Sequence, residues 1–285
     1  MTSEQVTQVP GVRLPSGESV PAFGQGTWNM AVKASARKEE IAALRTGLDL
    51  GLTLVDTAEM YADGAAQRLV GEAIAGRRDE VFLVDKVLPH HADRTGVLAA
   101  CRTALERLRT DRIDLYLLHW PGQVPLEETI GAFTELQQRG RIRYWGVSNF
   151  DTSDLARLEA VDAGRQVQTD QVLYNLGRRG PEFDLLPACA ALDLPVMAYS
   201  PIEQGRLLRH PALGRVALRH QATPAQVALA WVLRRPGTIV IPKTGTPARV
   251  VENAKALDVH LTASDLSELD AAFPPPSRAV PLEML

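Results

Sequence analysis

Short apolar runs alternate with longer stretches of helical spacing along most of the chain. The runs at 22–28 (AFGQGTW), 52–56 (LTLVD), 81–86 (VFLVDK), 113–120 (IDLYLLHW), 143–148 (RYWGVS), 167–171 (VQTDQ), 195–200 (PVMAYS) and 238–243 (TIVIPK) read as strands, rich in β-branched and aromatic residues. Between and after them, residues 35–50, 65–75, 95–108, 126–138, 151–161, 182–192, 224–235 and 247–257 repeat apolar positions at helical intervals, with Ser35 placed as the N-cap of the first helix. Residues 7–20 alternate weakly around a Pro-Ser-Gly turn and read as a short hairpin before this series. The proline-rich end, 273–285, reads as irregular chain covering the surface.

Eight strand–helix units at an even spacing of roughly 30 residues predict a parallel sheet closed on itself, the α/β class and a (β/α)8 TIM barrel. Composition shows no break, so residues 1–285 read as one domain. An open doubly wound sheet is the alternative. It requires a glycine-rich turn after the first strand, but Gly24 and Gly26 are followed by Thr27, Trp28 and Asn29, so the usual dinucleotide fingerprint is absent.

Charge and composition narrow the function. Thirty-one Lys and Arg stand against 34 Asp and Glu, a net charge of −3, which gives no basic footprint for nucleic acid. No apolar run approaches the roughly 20 residues of a membrane span, and the start, MTSEQVTQVP, is polar. A cytoplasmic protein bound to neither membrane nor nucleic acid is expected. Cys101 and Cys189 sit in apolar, helix-like surroundings and read as small buried residues, and no His/Cys spacing suggests a metal.

In such a barrel the active site lies at the C-terminal ends of the strands. These ends carry Asp56, with Tyr61 in the loop beyond, then Lys86, His119, Ser148 and Asn149, Asp170 and Gln171, Tyr199 and Ser200, and Lys243 and Thr244. Singly, each has a bland reading: a capping Asp, a snorkelling Lys, a core His, a surface Tyr. On successive units they point to one shared polar site, because ionisable groups ending apolar strands are costly unless paired. An ammonium beside a phenol pulls the phenol's pKa towards neutrality, and a carboxylate keeps that ammonium charged. A phenol so tuned is a general acid for an oxygen becoming an alkoxide, and a histidine can donate to the same oxygen. That is machinery for carbonyl reduction lacking a hydride source.

The motifs DTAEMYADG (56–64), LVGEAI (69–74), VDKV (84–87), RIDLYLLHWP (112–121), GRIRYWGVSNF (140–150), QVLYN (171–175), MAYSP (197–201) and IPKTGTPARVVEN (241–253) stand in the order of the aldo-keto reductase superfamily. The chain resembles its short bacterial type from about residue 12 to 272. The resemblance implies a (β/α)8 barrel with an N-terminal hairpin capping its bottom. It also implies a catalytic four: Tyr61 as proton donor, Lys86 lowering its pKa, Asp56 anchoring Lys86, and His119 orienting the carbonyl. It further implies NADPH across the strand ends. Ser148, Asn149 and Gln171 would bond the carboxamide, Tyr199 would stack on the nicotinamide, and Thr27 and Trp28 would lie near the ring or the substrate. Ser200 and Gly205 would meet the pyrophosphate, and Glu252 and Asn253 the adenine. Lys243, Thr244 and Arg249 form a cationic pocket with a hydroxyl, suited to a 2′-phosphate at a helix N-terminus.

Two positions depart from the family pattern. Asp85 stands where a small Ser or Thr is usual, and strand alternation turns it away from the face of Lys86. Gln67 replaces a frequent Glu, with a small effect on stability expected. The segment after His119 and the C-terminal tail look trimmed, so an open substrate pocket is expected, lined by Trp28, Met30, Met60, Trp120 and His90 or His91 and suited to an apolar or aromatic carbonyl. The expected protein is a monomeric reductase of small-molecule aldehydes or ketones. The alternatives are imine reduction and a nucleotide-sensing protein with little turnover.

Overall fold

A computed structural model describes residues 8–285; Thr7 of the expected hairpin, with the six residues before it, lies outside the described residues. The described chain opens with the antiparallel hairpin β1 (Gly11–Arg13) and β2 (Ser19–Pro21). Eight parallel strands follow in unbroken neighbour order: β3 (Gln25–Gly26), β4 (Leu54–Asp56), β5 (Phe82–Val87), β6 (Ile113–Leu118), β7 (Ile142–Ser148), β8 (Asp170–Leu173), β9 (Val196–Tyr199) and β10 (Thr238–Val240). The ring closes between its first and last strands. A parallel bridge joins Phe23 to Val240, the Gly24 amide donates to the Val240 carbonyl at 2.8 Å, and the Gly26 amide to the Pro242 carbonyl at 3.0 Å. This is the (β/α)8 barrel, and its closure excludes the open sheet.

The helices around the ring are α1 (Arg37–Asp49), α2 (Ala65–Ala73), α3 (Arg94–Leu108), α4 (Leu126–Gln138), α5 (Thr152–Glu159), α6 (Leu185–Ala191), α7 (Pro211–Arg219), α8 (Pro224–Leu233), α9 (Pro247–Ala254) and α10 (Ala263–Ala272). Two of them, α7 and α10, are absent from the sequence reading. Helix α7 buries Leu213 and Val216 along one side. Helix α10 starts at a capping box in which Thr262 and Asp265 each bond the other's backbone. Ser35 does not cap α1; it lies in a short 3-10 turn, and Ala36 takes the cap position without a side-chain bond.

Strand alternation divides the apolar residues into two layers. Inward-facing Leu54, Val84, Leu115, Leu117, Met197 and Ile239 fill the barrel, and Val12, Leu14 and Val20 of the hairpin join them. The hairpin therefore plugs the bottom, held by Arg143 and Tyr144 of β7 bonding Glu18. Outward-facing Leu83, Val87, Tyr116 and Trp145 pack on the helices, with Phe133 of α4 stacked 5.8 Å from Trp145. With the bottom plugged and the interior packed, the top is left to hold a site. Among the described residues no helix is long and apolar enough to cross a membrane, Cys101 and Cys189 are free and buried, and no group of metal-ligating side chains forms.

Candidate active site

The polar residues that end the strands converge at the top of the barrel. Asp56 is the last residue of β4, and Lys86 is the inward-facing residue near the end of β5. The Lys86 side chain is fully buried. Its ammonium donates to Asp56 Oδ1 at 2.7 Å, to the Thr57 carbonyl at 2.8 Å and to the Tyr61 hydroxyl at 3.3 Å. Three bonds satisfy the three ammonium donors, as burial demands. Gln171 of β8 adds a 2.8 Å bond from Nε2 to the same Asp56 oxygen.

Tyr61 opens the turn that precedes α2. Ala62 and Asp63 after it have φ of 49° and 51°, and Gly64 has φ of 78°, a left-handed run that folds the loop back over β5. A Cβ on Gly64 would lie 2.2 Å from Nη1 of Arg107, so the guanidinium of α3 packs against the turn. Glu59, two residues before Tyr61, accepts from the Leu88 amide at 2.6 Å and pins the loop to the end of β5.

His119 follows β6. Its ring meets Tyr61 edge-on at 5.9 Å, and its Nδ1 is buried without a partner among the described residues. Burial, aided by the Lys86 charge, pushes the imidazole down to about 2, so the ring is neutral at any physiological pH. Burial raises the Tyr61 phenol above its ordinary value, against the pull of Lys86 and with a further push from Asp56. This corrects the expectation of a phenol drawn towards neutrality: burial outweighs the ammonium, and Asp56, needed to anchor it, offsets a further part of its effect. Burial opposes the Lys86 charge, yet Asp56 and Tyr61 outweigh it and raise its pKa.

A cavity of about 660 Å³ opens above these groups. Of the residues expected in the site, Trp28, Asp56, Met60, Tyr61, His119, Trp120, Ser148, Asn149, Gln171, Tyr199, Ser200, Gly205, Lys243 and Arg249 line it. Lys86 is buried against Asp56 and Tyr61 at its edge. Ser148, Asn149 and Tyr199 are bonded into a chain: Ser148 donates to the Gln171 carbonyl at 2.7 Å, Asn149 Nδ2 to Ser148 Oγ at 3.1 Å, and the Tyr199 hydroxyl to Asn149 Oδ1 at 3.0 Å.

Other expected residues lie elsewhere. Met30 is 1% exposed and belongs to the outer core, because Asn29 and Ala31 on either side have φ of 60° and 61° and turn it inward. His90 packs on His91 at 4.1 Å, and neither lines the cavity. Thr27 is fully buried, its hydroxyl donating to the Asp56 carbonyl at 2.9 Å. Thr244 and Asn253 line a small crevice beside Gly26, and Glu252 lines neither space.

The tail, expected to be trimmed away, reaches the pocket. Arg178 bonds Glu283 at 2.5 Å, and Met284 and Leu285 form part of the cavity wall. Glu203 is a further residue that the sequence reading does not include. It is buried in the turn after β9, where it accepts from Asn175 at 2.9 Å, from Arg178 at 3.1 Å and from Arg206 at 2.9 Å. A lone acid in a polar loop gives no signal of such a role; its donors come together only in the fold.

An Asp–Lys–Tyr–His group at the strand ends of a plugged barrel accords with the match of residues 22–273 to the model of the aldo/keto reductase family. The chain belongs to the aldo/keto reductase family. It is 50% identical to methylglyoxal reductase YeaE of Escherichia coli over 279 residues, covering 96% of this chain and 98% of that one. It is 32% identical to glyoxal reductase of Bacillus subtilis over 260 residues, with 91% of each covered. Among solved structures, an aldo/keto reductase from Klebsiella pneumoniae in complex with NADP and acetate superposes with a TM-score of 0.95 at 48% identity, covering 98% of this chain and 100% of that one.

Proposed function

We propose that this aldo/keto reductase uses NADPH to reduce the carbonyl of small neutral aldehydes and ketones, α-dicarbonyls such as methylglyoxal and glyoxal foremost. The observation that carries the reading is the buried Lys86 ammonium shared between Asp56 and the Tyr61 hydroxyl. The names of the relatives support the substrate class, and the NADP-bound structure supports the cofactor.

The residues fit NADPH. Lys243 and Arg249 line the cavity and make no ion pair among the described residues; they stand before and within the first turn of the eight-residue helix α9. Unpaired cations at a helix N-terminus suit a phosphate that NADPH carries and NADH lacks. Tyr199, Ser148, Asn149 and Gln171 offer an aromatic face with donors and acceptors for an amide.

NADPH, when bound, supplies the hydride. The chain's own groups manage the proton. A phenol raised above its ordinary value is protonated throughout the physiological range, as a proton donor must be. When Tyr61 Oη gives its proton to the developing alkoxide, the Lys86 ammonium 3.3 Å away stabilises the phenolate left behind. Asp56 and the Thr57 carbonyl hold that ammonium in place. His119, neutral, presents an N–H to the carbonyl oxygen without adding charge. Trp28, Met60, Trp120, Met284 and Leu285 give the cavity apolar walls. All these groups come from one chain, so a monomer suffices.

The test is NADPH oxidation with methylglyoxal, glyoxal, aromatic aldehydes and cyclic imines, beside the Tyr61→Phe variant. Turnover is expected with the dicarbonyls and should fall about 10²- to 10⁴-fold in the variant, with NADPH binding, followed by tryptophan fluorescence, retained. Undiminished turnover in Tyr61→Phe would remove the proton donor assigned here. Binding with no turnover on any compound would favour a sensing role.

A further inference from the structure

Asp85 and Gln67, the two departures from the family pattern, touch each other. Asp85 immediately precedes Lys86 on β5, and its side chain shares the outward face with Leu83 and Val87. Gln67 of α2 donates from Nε2 to Asp85 Oδ2 at 2.7 Å, while Gln67 Oε1 accepts from Arg107 of α3 at 3.1 Å. Asp85 and Gln67 are both fully buried. Arg107 also packs on Gly64 in the Tyr61 turn. One chain of contacts thus joins the strand that carries Lys86 to the loop that carries Tyr61.

The second carboxyl oxygen decides what this chain can do. Asp85 Oδ1 is buried and has no partner among the described residues, and neither has the hydroxyl of Tyr116, its cross-strand neighbour on β6. A carboxylate with one bare oxygen in an apolar layer is costly, and a proton on that oxygen removes the cost. The charged and titratable groups around Asp85 are Lys86 on its own strand, Tyr116 on β6, Cys101 on α3, and Glu59 and Tyr61 in the segment before α2. Arg107 of α3 reaches it through Gln67 of α2.

We propose that Asp85 is a positioning residue of the reaction, a buried carboxyl whose charge state sets how strongly the Lys86 ammonium acts on the Tyr61 phenol. The inference rests on the function proposed above. Burial, against the bonds from the Lys86 backbone and Gln67, raises the carboxyl to about 7. Below that pH Asp85 is neutral and the Lys86 charge acts undiminished on Tyr61. Above it, a negative charge behind Lys86 offsets the ammonium, the phenol holds its proton more tightly, and proton donation slows.

Single-turnover NADPH oxidation with methylglyoxal, followed from about pH 6 to 8.5, tests this free of product release. The wild-type rate should fall roughly three- to tenfold through an inflection near neutrality. Asp85→Asn, which keeps an oxygen for Gln67 and cannot ionise, should stay at the low-pH rate throughout. Gln67→Glu, which brings a second carboxyl against the first, should move the inflection to higher pH. A wild-type profile without the inflection, or one that persists in Asp85→Asn, overturns the proposal. A readout independent of turnover is the ultraviolet phenolate absorbance that Tyr61→Phe removes. It should appear at lower pH in Asp85→Asn than in wild type, and an unchanged midpoint overturns the proposal even where no substrate is turned over. Absent turnover with a shifted midpoint would count against the proposed function and leave the Asp85 assignment standing.

Discussion

Lys86 and Asp56 form an ion pair at 2.7 Å in the floor of the site. Both are buried, so removing one partner leaves an uncompensated charge, a loss of about 3–5 kcal/mol. Lys86→Met should abolish turnover and lower stability by that order in urea unfolding. Adding Asp56→Asn, which removes the stranded charge, should recover most of the stability and none of the turnover. Failure of the double variant to recover would mean that Lys86 contributes chiefly by packing. These two residues are legible in the sequence because each ends an apolar run, where an ionisable group has to find a partner. Met30 is not: its place depends on the left-handed backbone of Asn29 and Ala31, which reverses the chain and sends the side chain inward. The net direction of the Tyr61 shift is equally hidden, since it follows from how burial, Lys86 and Asp56 balance in three dimensions.

At the level of elements, α9 and the segment before it carry the clearest test of cofactor choice. Lys243→Ala with Arg249→Ala should weaken NADPH binding by one to two orders of magnitude, about 1.4–2.8 kcal/mol, and leave NADH binding nearly unchanged in fluorescence titrations. Equal losses for both nucleotides would remove the phosphate role given to these cations. The eight barrel strands are visible as apolar runs, but several span fewer residues than their runs, down to Gln25–Gly26 for β3. Helix α10 is marked in the sequence by its capping box at Thr262 and Asp265, a signal that apolar spacing alone does not reveal. Helix α7 is hidden by its position: it is an extra helix between β9 and α8, where the regular alternation needs a single one.

In the whole molecule the two ends of the barrel divide the work. The hairpin fills the bottom and the reactive groups sit at the top, so damage to one should spare the other. Leu14→Ala, at a residue 2% exposed inside the plug, should cost about 2–5 kcal/mol in unfolding with KM and kcat unchanged in the molecules that remain folded. A large change in KM would show that the plug also shapes the top. Closure of the barrel can be read from even spacing together with the missing glycine-rich turn after the first strand. The path of the tail cannot, because it is fixed by Arg178 and Glu283, residues 105 positions apart.

That path bears on how the protein is handled at the bench. Leu285 stands in the cavity wall, close to Tyr199, so a purification tag or fluorescent fusion joined after it would begin at the mouth of the active site. A label carried on the hairpin itself, at the exposed Ser19, would stand on the side of the barrel floor, across the packed interior from the cavity. Preparations labelled on the hairpin and on the tail are therefore not interchangeable for kinetics, and comparing them would report directly on the pocket wall that the tail supplies.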